Sequence, residues 1–74
     1  MKIYVTQMFR NGQKNKHSYV IFAGDDKVLA ILAGISESDK RSGKYSAEVF
    51  ELNSNIAGSK QLLFRCNRDR VVLL

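Results

Sequence analysis

Asp25-Asp26-Lys27-Val28-Leu29-Ala30-Ile31-Leu32-Ala33-Gly34-Ile35-Ser36-Glu37-Ser38-Asp39-Lys40-Arg41-Ser42-Gly43 is the stretch on which the fold turns. Val28, Ile31, Leu32 and Ile35 fall at i, i+3, i+4 and i+7, the spacing with which a helix turns one apolar stripe toward a core, and Leu29 widens it. The spacing predicts a helix over 26–41 with Val28, Leu32 and Ile35 buried. Asp25 is read as the cap, and Asp26 suits the positive end of the helix. Glu37 and Arg41 stand four apart and pair on the wet face. Lys40 and Arg41 suit the carbonyl end, and Gly43 offers a left-handed stop. Gly34 counts against the helix by about 1 kcal/mol relative to alanine. A strand over 27–33 is the rival, because the apolar run is short and dense; the helix is the preferred reading.

On either side the period changes to two. Residues 2–9 are rich in β-branched and aromatic types and read as a strand. Asn11-Gly12 opens a polar loop through Lys16, and residues 17–23 read as the return strand, ended by Gly24. After the helix, residues 44–52 alternate again, with Tyr45, Ala47 and Val49 on one face and Ser46 and Glu48 on the other. A polar loop follows from Asn53 to Lys60. Residues 61–66 and 70–74 read as a hairpin closed at Asn67-Arg68-Asp69. The order is β-β-α-β plus a C-terminal β-hairpin. A right-handed crossover lays the third strand parallel to the second and antiparallel beside the first, which becomes central, with the helix over one face. The expected fold class is α+β, a small antiparallel sheet under one helix, forming a single domain over 1–74.

Composition limits the function classes. Seventy-four residues bury only about 60% of the surface of the unfolded chain, so stability is modest. A content of 45% hydrophobic and 26% charged residues is too apolar for a disordered segment. Cys66 is the one cysteine; it cannot close an internal disulfide, which favours a cytoplasmic setting. No apolar run approaches the roughly 18–20 residues that span a bilayer, and the start, Met1-Lys2-Ile3-Tyr4-Val5-Thr6, turns polar too early for a signal peptide. The net charge is +5. Residues 1–53 carry eight Lys/Arg against six Asp/Glu, a net +2, and residues 54–74 carry Lys60, Arg65, Arg68 and Arg70 against Asp69, a net +3. That balance suits an acidic protein surface or a nucleic acid.

No catalytic set assembles from the sequence, so the chain is not read as an enzyme and no cofactor or metal is expected. His17 is the only histidine, and with Cys66 it falls short of the three or four ligands a metal needs. Arginines near Cys66 would favour a thiolate, but no base is placed beside it; Leu62, Phe64 and Cys66 alternate on one strand face, which reads as core. Gly43-Lys44-Tyr45-Ser46 lacks the spacing of a phosphate-binding loop. Asp25-Asp26 is explained as a helix start. Tyr4, Tyr19, Phe50 and Phe64 lie on strands with arginines nearby, as single-strand nucleic-acid binders require, yet a core this small needs those rings. The partner-binding candidates are Arg65, Arg68 and Arg70 around the C-terminal turn and Lys14, Lys16 and His17 in the first loop. Val71-Val72-Leu73-Leu74 is apolar on both faces, as in a strand that pairs with another chain, a second copy included.

Lys2-Ile3-Tyr4-Val5-Thr6-Gln7-Met8-Phe9-Arg10-Asn11-Gly12, His17-Ser18-Tyr19-Val20 and Ser42-Gly43-Lys44-Tyr45-Ser46-Ala47-Glu48-Val49-Phe50-Glu51 together resemble a group of short uncharacterised bacterial and phage proteins. Those proteins run strand, strand, helix, then a strand opening with Gly-Lys-Tyr. The resemblance covers residues 1–53 and brings no active site. In size and character the chain is similar to phage accessory proteins, anti-CRISPR proteins among them, which occupy a functional surface on a larger host complex. The resemblance implies a non-enzymatic, phage-encoded inhibitor of a host nucleoprotein complex such as a CRISPR effector, acting in the host cytoplasm. The alternative is a small basic nucleic-acid-binding module.

Overall fold

The computed structural model describes residues 2–13, 18–53, 60–68 and 70–73. The described residues form an α+β fold of five antiparallel strands and one helix. The elements are β1 (Lys2–Arg10), β2 (Tyr19–Gly24), α1 (Lys27–Lys40), β3 (Tyr45–Asn53), β4 (Lys60–Asn67) and β5 (Arg70–Leu73). The strands lie in the order β2-β1-β3-β4-β5. The centre of the sheet is therefore β3 and not the first strand, because the hairpin of β4 and β5 continues the sheet along the edge of β3 that β1 leaves open. Among the described residues no helix is long and apolar enough to cross a membrane.

The helix forms where the sequence places it, one residue shorter at each end. Asp26, not Asp25, is the cap: its backbone is extended and its carboxylate accepts from the Leu29 N–H at 3.1 Å. At the far end the Ser42 N–H donates to the Asp39 carbonyl and the Gly43 N–H to the Ser38 carbonyl, both at 2.9 Å. That pair of bonds is the Schellman stop, and it places Ser42 in the left-handed position, at φ 57°, with Gly43 following at φ 75°.

The face that α1 buries differs from the expected one. Val28 is 60% exposed and Leu32 53%, whereas Ala30, Gly34 and Ser38 are buried. Small residues at i, i+4 and i+8 let the helix axis sink close to the sheet, and Val28 and Leu32 are turned toward solvent. Ile31 and Ile35 lie between the two faces and pack, with Tyr19, Ile21, Tyr45 and Phe64, against a centre of Met8, Ala47 and Cys66. Gly34 is therefore required by close approach and is no flaw: a β-carbon there would stand 2.8 Å from the Ala47 β-carbon. Thr6 fastens the helix from below, its buried hydroxyl donating to the Ala30 carbonyl at 2.6 Å.

A bulge alters one further expectation. Val49 pairs with Phe64 but Phe50 pairs with Leu62, so Leu63 is extra and Leu62 moves to the face away from the helix. Phe64 and Cys66 stay on the helix side.

Candidate interaction surface

Antiparallel pairing brings three turns to one end of the molecule. Arg10, at the end of β1, lies opposite Tyr45, at the start of β3, and Cys66, near the end of β4, lies opposite Ala47. The C-terminus of α1 leads directly into β3, so it arrives at the same end. Short polar side chains tie these turns together. Asn11 donates to the Gly43 carbonyl at 3.0 Å, and Asn67 donates to the same carbonyl at 3.1 Å. Ser46 donates to Asn11 Oδ1 at 2.6 Å and accepts from Asn67 at 2.8 Å. Ser38 donates to the Tyr45 carbonyl at 2.6 Å and accepts the Arg68 N–H at 2.9 Å. Each residue of this clasp is satisfied by another, and among the described residues no buried side-chain nitrogen or oxygen lacks a partner.

The clasp holds a cationic rim. Arg10, Lys40, Arg41, Lys44, Arg68 and Arg70 sit at or beside these turns and are exposed. Arg68 has a left-handed backbone, φ 54°, as the first central residue of a two-residue hairpin turn closed by Asn67 and Arg70. Its side chain lies over Gly43, where a β-carbon would meet Arg68 Nε at 2.8 Å, and it lines a cleft with Ile35, Ser36 and Asp39. Arg41 is held on the β2 side. Its guanidinium lies 5.7 Å from the Tyr19 ring centre and 5.2 Å from that of Tyr45, and its Nε donates to Glu37 at 3.4 Å. The Tyr19 hydroxyl donates to the same carboxylate at 2.8 Å. That hydrogen bond, with help from Arg41 and Lys40, holds the Glu37 carboxyl below its usual range, against the opposing effect of burial.

Of the residues singled out from the sequence, Arg68 and Arg70 lie at this pole. Arg65 lies on the outer sheet face, where its guanidinium donates to the Glu48 carboxylate at 3.0 Å, and Glu48 is 2% exposed. Lys14, Lys16 and His17 lie outside the described residues. Sequence reasoning missed Arg10, at the end of β1, and Lys40, Arg41 and Lys44, around the end of α1; only the strand order makes these two turns neighbours of the one that carries Arg68 and Arg70. Cys66 is buried in the core, and burial pushes its thiol pKa up, which disfavours the thiolate. Among the described residues no three His, Cys, Asp or Glu cluster as metal ligands would.

No protein-family model matches the chain, and no curated protein and no solved structure matches it significantly.

Proposed function

We propose that this chain is a small binding protein, not an enzyme, that sets its cationic pole against an acidic surface of a larger complex. The observation that carries the reading is the clasp of Asn11, Ser46 and Asn67 on the Gly43 carbonyl. It ties three turns together and so sets the backbone positions of cationic residues from three separate parts of the sequence, lowering part of the ordering cost of binding. Guanidinium groups suit carboxylates presented in pairs. Together with the resemblance to phage accessory proteins, this supports an inhibitor that masks a functional surface of a host nucleoprotein complex, such as a CRISPR effector, in the cytoplasm.

The test is affinity capture from host extract with the native chain and with Arg68→Glu/Arg70→Glu, alongside salt titrations with naked DNA and RNA. The reading requires a protein complex whose affinity falls about tenfold or more on charge reversal, with only weak nucleic-acid binding. Tight binding to naked nucleic acid at about 150 mM salt, falling steeply as salt rises, replaces the inhibitor with a nucleic-acid module.

A further inference from the structure

Among the described acidic residues, one stands out at the cationic pole. Glu37 meets Arg41 at 3.4 Å, Glu48 meets Arg65 at 3.0 Å and Glu51 meets Lys2 at 3.0 Å. Asp26 caps α1, and Asp25 precedes it, at the end of the helix where negative charge is favoured. Asp39 lies in the last turn of α1, among carbonyls that the helix leaves free, where a carboxylate is disfavoured. It is exposed, and among the described residues its carboxylate has no ion pair and no hydrogen bond. Arg68 lines the same cleft, with Ile35 and Ser36. Its backbone N–H is bound to Ser38 and its side chain is laid over Gly43, yet its guanidinium also has no partner among the described residues. Two opposite charges thus share a cleft of about 480 Å³ without pairing with each other.

A residue that breaks a local preference and gains no contact inside the fold marks a surface kept for another use. We infer that Asp39 determines the specificity of the cationic pole: it seats a basic side chain of the partner protein, whose neighbouring carboxylate pairs with Arg68, and it repels a nucleic-acid backbone. A phosphodiester chain is a row of like charges and has no cation to set beside Asp39. An acidic protein surface can intersperse lysine or arginine among its carboxylates, and the aliphatic stem of such a residue suits Ile35 on the cleft wall. An uncompensated charge set against the wrong partner is a common source of selectivity. The inference rests on the protein-binding reading above and deepens it: the acidic surface that meets the pole carries a basic residue at this cleft.

The probes are a blocked peptide with one lysine flanked by glutamates, its counterpart with glutamine in place of the lysine, and oligothymidylate, each titrated at low salt into the isotope-labelled chain and followed by NMR. Net charge alone favours the glutamine peptide, which is the more acidic. The native chain should nevertheless hold the lysine peptide about threefold more tightly, with amide shifts at Ile35, Ser36, Asp39 and Arg68. Asp39→Asn should reverse that preference and raise the affinity for oligothymidylate about threefold or more. It removes a negative charge from the carbonyl end of α1, so the variant should be at least as stable as the native chain. Asp25→Asn makes the same charge change at the other end of the helix and should leave the peptide preference intact. A native chain that does not prefer the lysine peptide, or a preference that survives Asp39→Asn, overturns the inference. Equal gains for both peptides and oligothymidylate in Asp39→Asn report only a more positive pole and overturn it too. Each of these results leaves the proposed function standing, because that reading is decided by host capture: capture that ignores Arg68→Glu/Arg70→Glu defeats it whatever the peptides do.

Discussion

Gly34 and Ala47 meet where α1 crosses β3: a β-carbon on Gly34 would stand 2.8 Å from the Ala47 β-carbon and 3.3 Å from Thr6 Cγ2. Both neighbours belong to central strands fixed by pairing on either side, so they have little room to give. Gly34→Ala removes a helix cost of about 1 kcal/mol but forces an overpacking cost of about 1–3 kcal/mol. The net expectation is a less stable protein, measured as a lower urea midpoint with an unchanged slope. Ala47→Gly in the same chain should recover part of the loss, since it clears the contact. A Gly34→Ala variant more stable than the native chain would show that the helix does not sit this close.

Leu32→Ala separates the two candidate helix faces. A buried leucine would lose about 2–5 kcal/mol on truncation. Leu32 is 53% exposed, so the expected loss is about 1 kcal/mol or less. Chemical unfolding of this one variant decides which stripe faces the sheet.

The helix was legible in the sequence because period, cap and stop agree over one continuous stretch, and the strands because their alternation is local. The buried face was not. Val28, Leu32 and Ile35 carry the greatest hydrophobicity, but Ala30, Gly34 and Ser38 allow the closest approach, and closeness is a property of the sheet beneath, invisible from the helix alone. The pole was half legible for a related reason. Arg68 and Arg70 announce themselves by local density, whereas Arg10 and Lys44 become their neighbours only through the pairing of β1 with β3 and of β3 with β4. The bulge at Leu63 has no local sign in the sequence.

The end of α1 predicts opposite outcomes for adjacent residues. Ser42 holds a left-handed backbone at φ 57°, which costs a residue with a β-carbon about 1 kcal/mol relative to glycine. Ser42→Gly should raise stability by about that amount. Gly43→Ala should lower it by more than 1 kcal/mol, because φ is 75° there and the new methyl meets Arg68. Thermal unfolding of the two single variants checks both signs, and an equal response at the two positions would contradict the assigned stop.

The Tyr19–Glu37 hydrogen bond predicts a stability difference confined to a window of pH. Tyr19 donates to Glu37 at 2.8 Å, and this bond is the main reason that the Glu37 pKa lies below its ordinary 4.5. A carboxyl whose folded-state pKa is depressed adds stability that is fully present above the unfolded value and lost as pH falls through the folded one. Tyr19 is displaced the other way, above its ordinary 10.0, first by burial and then by its bond to the Glu37 carboxylate. Stability from a raised pKa is complete below the unfolded value and is lost as pH rises through the folded one. Tyr19→Phe removes the donor while keeping a ring against Tyr45 and Arg41. The native chain should therefore exceed the Phe variant in stability between about pH 5 and pH 9, and the gap should close at both extremes: as Glu37 protonates on the acid side, and as Tyr19 ionises, losing its proton for the bond, on the alkaline side. Urea unfolding of both chains across pH measures the gap directly. A gap that persists unchanged after Glu37 has titrated on the acid side would assign the tyrosine's contribution to packing and remove the hydrogen bond from the account.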